Sequence, residues 1–179
     1  MRIKGITDED FVNYKKPSMF IAFPYCCFKC EKESGVRCCQ NSDLAKSPTY
    51  EIGIEDIVER YISNPITSAI VFGGLEPFDS FDEMLDLISL FRKHTSDDIV
   101  IYTGYSEKEL ENGYYTCGDY NSNTRRNAYR ILKQYPNIII KFGRFVPDQT
   151  PHLDSILGVE LASGNQYAKL VSKNEKQEG

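Results

Sequence analysis

Five of the six cysteines fall between Cys26 and Cys39. Thiolates are ligands for soft metal centres and iron–sulfur clusters are commonly held by four of them, so Cys26, Cys27, Cys30, Cys38 and Cys39 offer more sulfurs than one site needs. Two kinds of site fit. One is a closed structural zinc site on Cys27, Cys30 and residues near Cys38. The other is a cluster held by three thiolates with one iron left open, because an open coordination position marks a catalytic rather than a structural metal. Cysteines also pack as small hydrophobes, but Lys29, Glu31, Lys32, Glu33 and Arg37 make this segment too polar for a core.

Three further motifs carry residue types suited to ligand contact. In Gly73-Gly74-Leu75-Glu76-Pro77 the glycines permit close backbone approach or a positive φ, and the carboxylate can accept from an ammonium group. Taken alone, the same residues fit a strand-to-helix turn with Glu76 at the helix start, where negative charge is favoured. Thr103-Gly104-Tyr105 and Gly143-Arg144-Phe145 are the other two motifs, and Arg144 fits either a ligand contact or a structural ion pair.

All four motifs follow segments that read as strands. The runs Met19 to Phe23, Ala69 to Phe72, Ile99 to Tyr102 and Ile138 to Phe142 are nearly continuous in apolar residues, the pattern of central parallel strands buried on both faces. Helical patterns lie between them. Ile54, Ile57, Val58, Tyr61 and Ile62 share one face, as do Phe81, Met84, Leu85, Ile88 and Phe91. A third amphipathic segment starts near Thr124 and groups Ala128, Ile131, Leu132 and Tyr135. Ser80 with Glu83 and Ser106 with Glu109 have capping-box spacing and predict two helix starts. Alternating strands and helices predict a single α/β domain with a mainly parallel sheet and flanking helices. In such folds ligands bind beyond the carboxyl ends of the strands, so the four motifs should converge on one site.

Composition excludes several other classes. The chain has 179 residues, 41% hydrophobic and 26% charged, with 12 Tyr and 10 Phe to fill a core, which rules out wholesale disorder and a disulfide miniprotein. A net charge of -5 gives no general attraction for nucleic acid or anionic lipid. No apolar run approaches the ~20 residues of a membrane span, and MRIKGITDEDFVNYKK does not resemble a secretion signal. The expectation is a cytoplasmic protein, where clustered cysteines bind metal or do redox chemistry.

Together the motifs resemble the radical S-adenosylmethionine family, and within it the activating proteins of anaerobic ribonucleoside-triphosphate reductase. The resemblance rests on CCFKC and CCQN after the first strand, VFGGLEPF after the second, DIVIYTGYSEKEL after the third, and FGRFVPD with LASGNQ near the end. It implies that Cys26, Cys30 and Cys39 ligate three irons of a 4Fe-4S cluster whose fourth iron binds the amino and carboxylate groups of S-adenosylmethionine. Cys26 and Cys30 keep the family's C-x3-C opening, but eight residues separate Cys30 from Cys39, more than the family's spacing. Cys39 is preferred to Cys38 because Cys39-Gln40-Asn41 looks like the family's Cys-Tyr-Asn. Cys27 and Cys38 are the alternatives.

By the same resemblance Gly73, Gly74, Glu76 and Pro77, with Leu75 inserted, correspond to a Gly-Gly-Glu-Pro element that contacts the methionyl amino group. Thr103 and Gly104 stand where the family has a turn near the cofactor. The implied reaction starts with an external donor such as a flavodoxin or ferredoxin reducing the cluster. Cleavage of the sulfonium bond then yields a 5′-deoxyadenosyl radical, which takes hydrogen from a glycine of a partner glycyl radical enzyme, anaerobic ribonucleoside-triphosphate reductase. The protein binds, orients and shields the cofactors, and no side chain is assigned a catalytic role of its own. The expected domain covers 1–171, its sheet curled as a partial (βα) barrel, with a flexible tail over 172–179.

Remaining residues read as structural. His94 ends a helix and His152 is expected in a loop. Cys117 reads as a free thiol in a loop with Tyr114, Tyr115 and Tyr120, and Arg125, Arg126 and Arg130 read as a solvated helix face.

Overall fold

The computed structural model describes residues 1–113 and 127–172. Its centre is a six-stranded sheet of β2 (Gly5–Asp10), β3 (Ser18–Phe23), β5 (Ala69–Gly74), β6 (Asp98–Tyr102), β7 (Ile138–Phe142) and β10 (Tyr167–Leu170), in the order β10-β7-β6-β5-β3-β2. The four inner strands, β3, β5, β6 and β7, are parallel neighbours in chain order, and an antiparallel strand closes each edge. These four are the apolar runs read from the sequence. Two small antiparallel sheets complete the strands: β1 (Arg2–Ile3) with β4 (Tyr50–Glu51), and β8 (His152–Asp154) with β9 (Val159–Leu161).

Stepping from strand to neighbouring strand in one direction puts the described helices that pack on the sheet on one side of it. The helices α3 (Ile54–Ile62), α4 (Phe81–His94), α5 (Glu107–Asn112) and α6 (Ala128–Leu132) all pack there. Ile57, Val58 and Tyr61 of α3, Met84, Leu87 and Phe91 of α4, Leu110 of α5 and Leu132 of α6 join Ile70, Phe72, Ile101, Ile140 and Phe142 in one buried cluster. Among the described residues the opposite face has no helix on it. There Ala69, Val71, Val100, Ile139 and Ala168 are covered by Tyr14, Leu157 and Leu161 from loops and β9.

The cysteine segment contains two short helices, α1 (Lys29–Ser34) and α2 (Ser42–Lys46), neither with a buried residue. Of the two predicted capping boxes, Ser106 with Glu109 forms in full. Ser80 precedes α4 but caps nothing. A 3-10 turn over Pro77–Ser80 runs directly into the helix, the Ser80 hydroxyl is buried without a partner, and Glu83 accepts instead from the Arg2 backbone N–H at 3.3 Å. His94 does end α4, in a last turn with Arg92 and Lys93 that suits the helix dipole. His152 lies in β8 rather than in a loop, and its Nδ1 is buried without a partner.

Cys117, Tyr114, Tyr115, Tyr120, Arg125, Arg126 and the predicted helix start near Thr124 lie outside the described residues, as does the tail from 173. Among the described residues no helix is long and apolar enough to cross a membrane.

Candidate functional site

Backbone pairing continues past the ends of the parallel strands and sets the site. Leu75 N–H donates to Phe23 O at 3.2 Å and Glu76 N–H to Tyr25 O at 2.7 Å, extending the β3–β5 ladder, while Thr103 N–H donates to Lys141 O at 2.9 Å beyond β6. The segments after β3, β5, β6 and β7 are thereby held side by side around a cavity of about 360 Å³. Its lining includes Cys26, Cys27, Cys30, Cys39, Gly73, Gly74, Glu76, Thr103 and Gly104. Of the expected cluster ligands, their alternatives and the cofactor-contact residues, Pro77 and Cys38 are not in this wall. Pro77 opens the buried 3-10 turn behind Glu76.

The two glycines serve different needs. Gly74 has φ +79°, and a side chain there would meet the Ala22 backbone at 2.8 Å; at Gly73 a Cβ would collide with the Phe20 ring at 2.8 Å. Gly74 O also accepts from Asn41 Nδ2 at 2.6 Å, which ties the CCQN end of the cysteine segment to the glycine turn.

Glu76 is buried and its carboxylate is held from three directions. Oε1 accepts from Phe78 N–H at 3.1 Å and Thr103 Oγ1 at 2.8 Å, and Oε2 accepts from Gly104 N–H at 2.8 Å. The Glu-Pro and Thr-Gly motifs are thus one hydrogen-bonded unit. Burial first, then the neighbouring Asp79, raise the Glu76 pKa to about 7 against the pull of these donors. A carboxylate has about four acceptor positions, so Oε2, with one donor, keeps capacity toward a cationic ligand group.

Cys26, Cys30, Cys38 and Cys39 are free thiols of intermediate exposure, whereas Cys27 is disulfide-bonded. Burial pushes the Cys26 thiol up to about 12, while the Phe28 N–H donating to its Sγ at 3.2 Å acts in the other direction. Cys30 is raised to about 11, by burial and then by the nearby Cys39 and Cys38. Among the described residues no three Cys, His, Asp or Glu side chains are already gathered around a point that could hold a single metal ion. The donor set fits an iron–sulfur cluster better than a preformed mononuclear site: three free thiols border one cavity, and neither histidine lines it.

A family model described as a 4Fe-4S single cluster domain matches residues 18–151, well over half of the chain and all four motif segments up to Arg144. The chain belongs to this family. No curated protein matches it significantly.

In this 4Fe-4S single cluster protein Lys141 was not assigned from the sequence. Lys141, inside the apolar run Ile138 to Phe142, is buried in the cavity wall with Nζ donating to Gly143 O at 2.8 Å. Desolvation lowers its pKa to about 8, with Glu76 opposing. A lone charge inside a hydrophobic strand was the available signal. Arg144 forms the structural ion pair, with Nη1 and Nη2 donating to Glu109 at 2.9 and 2.7 Å. Gln166, from the LASGNQ motif, donates to Gly143 O at 3.2 Å and accepts from Ser163 N–H, fixing the far rim of the cavity.

Proposed function

We propose that this 4Fe-4S single cluster protein is a radical S-adenosylmethionine activase that generates a glycyl radical on an anaerobic ribonucleoside-triphosphate reductase. The observation that carries the reading is the joining of two motifs in one unit, the Glu76 carboxylate bonded to Thr103 and Gly104, on the same cavity as Cys26, Cys30 and Cys39. In this reading Cys26, Cys30 and Cys39 hold the cluster, and Glu76 with the Gly73-Gly74 backbone receives the amino group of S-adenosylmethionine. The sheet, whose described helices cover one face, curls around them as a partial barrel.

When bound, the reduced cluster supplies the electron that breaks a carbon–sulfur bond of S-adenosylmethionine, chemistry that ends in hydrogen abstraction from a glycine of the partner. The chain's own residues do the positioning. Phe78 N–H, Thr103 Oγ1 and Gly104 N–H fix the Glu76 carboxylate so that a ligand ammonium meets an acceptor already oriented. The apolar surfaces of Phe20, Tyr102 and Leu161 in the cavity wall limit water at its inner end. Lys141 offers a cation to an anionic ligand group, and Asn41 holds the cysteine segment against the glycine turn. A flavodoxin or ferredoxin in the cytoplasm would supply the electron.

The test uses anaerobically reconstituted protein reduced with dithionite, with electron paramagnetic resonance recorded before and after S-adenosylmethionine and 5′-deoxyadenosine measured alongside. A shifted cluster signal with 5′-deoxyadenosine formation is expected. A cluster whose signal ignores S-adenosylmethionine and yields no 5′-deoxyadenosine overturns the reading.

A further inference from the structure

The helix α1 carries Cys30, yet little in its own sequence holds it in place. It has six residues, none buried, and its N-cap, Phe28, adopts a left-handed conformation (φ 52°) without a side-chain capping bond. A helix this short is not stable by itself in water. Among the described residues, its hydrogen bonds and ion pairs to elements outside the cysteine segment are both ionic: Lys29 with Glu109, and Glu33 with Arg144 at 3.5 Å.

Glu109 is the centre of this arrangement. Its place is set by the Ser106 capping box, in which Oε2 accepts from Ser106 N–H at 2.8 Å and from its hydroxyl at 2.9 Å. From that fixed point Oε1 takes Lys29 Nζ, and both carboxylate oxygens take the Arg144 guanidinium. Arg144 is steadied in turn by the Tyr105 ring, 5.6 Å from its Cζ. The side chains of Lys29, Glu109 and Arg144 are only 21%, 19% and 13% exposed, so salt screens them less than a surface pair. Burial alone would raise the Glu109 pKa, but Arg144, Lys29 and Ser106 together bring it to about 2, and it stays charged throughout the working pH range.

We infer that Glu109 is a positioning residue for the iron-binding segment, acting through Lys29 and Arg144 to hold Cys30 over the strand ends without touching the cluster. The inference rests on the assignment of Cys30 as a ligand. A charge-based tether, unlike an apolar one, can be removed without opening the core.

Glu109→Gln tests it, because glutamine also completes a capping box and so preserves the start of α5. Iron release from the reconstituted protein to an excess of chelator is followed by loss of visible absorbance, together with the midpoint potential and the thermal transition of the protein before reconstitution. Expected are release about tenfold or more faster, a shifted potential, and a thermal transition close to wild type. Lys29→Met should behave likewise, and the double variant should release iron no faster than the faster single one, as for two residues acting through one contact. Added salt should speed release from wild type more than from Glu109→Gln, which keeps only the Glu33–Arg144 pair. Wild-type release rate and potential in Glu109→Gln, or additive effects in the double variant, overturn the tether alone. A wild-type protein that takes up no iron and sulfide, or a Cys30→Ala variant that retains a full cluster, removes the assignment beneath it.

Discussion

On the helix-covered face of the sheet Ile70, Phe72, Ile101, Ile140 and Phe142 are buried against apolar helix residues. On the other face the same strands begin with Ala69, Val71, Val100 and Ile139 but end in Gly73, Tyr102 and Lys141. One face is filled by side chains throughout; the other is filled at its floor and left open at the carboxyl end of the strands. The first supplies stability through burial of apolar surface. The second gives some of it back, since Lys141 and Glu76 are ionisable groups removed from water. Groups that cost stability and line a cavity are the ones to examine for function.

The largest effect that sharpens this contrast is complete loss of the cluster. Cys26→Ala, Cys30→Ala and Cys39→Ala should each leave a folded protein without stoichiometric iron and sulfide, while Cys38→Ala keeps both; iron retained in Cys39→Ala and lost in Cys38→Ala would reverse the ligand choice. On the filled face, Phe72→Ala should cost about 3–5 kcal/mol in chemical denaturation. A cost below about 1 kcal/mol would mean that this face is not the packed core.

At the open end the sign reverses. Lys141→Met should stabilise the protein at pH 7 by up to about 3 kcal/mol, because a pKa near 8 in place of 10.5 penalises the charged folded state. The wild type should gain stability as pH rises from about 8 to 10.5, where the unfolded chain binds the extra proton. That rise should be absent from the variant, and equal pH profiles would break the comparison.

Glu76→Gln should show a smaller effect, because its amide nitrogen would face the Gly104 N–H. With a folded pKa near 7 against 4.5, the folded state holds the extra proton between these values, so wild-type stability falls as pH rises through them, by at most about 3 kcal/mol. The variant's profile should be flatter there, and its affinity for S-adenosylmethionine weaker with an intact cluster. Unchanged affinity would make the Glu-Pro segment a turn and nothing more.

The four inner strands were legible because strands buried on both faces leave an unbroken apolar run. The edge strands β2 and β10 were not, since GITDED and YAKL are short or polar, as edge strands tend to be. Convergence of the motifs followed from parallel topology alone. What escaped were contacts that no local pattern encodes. Lys141 was hidden inside a run counted as hydrophobic, and Glu109 was readable as a helix cap but not as the partner of Lys29 and Arg144. Ser80 does mark the start of α4, but its capping box does not form, because the spacing says nothing about a turn packed in front of it.

The ion pair between Lys29 and Glu109 joins residues 80 positions apart. At a synthesis rate of about 5–20 residues per second, roughly 4–16 s pass between the emergence of the two. Throughout that interval the cysteine helix lacks its ionic tether, and Arg144 is made later still. The tether over the cysteine helix is therefore complete only once β7 and the Arg144 that follows it have been made.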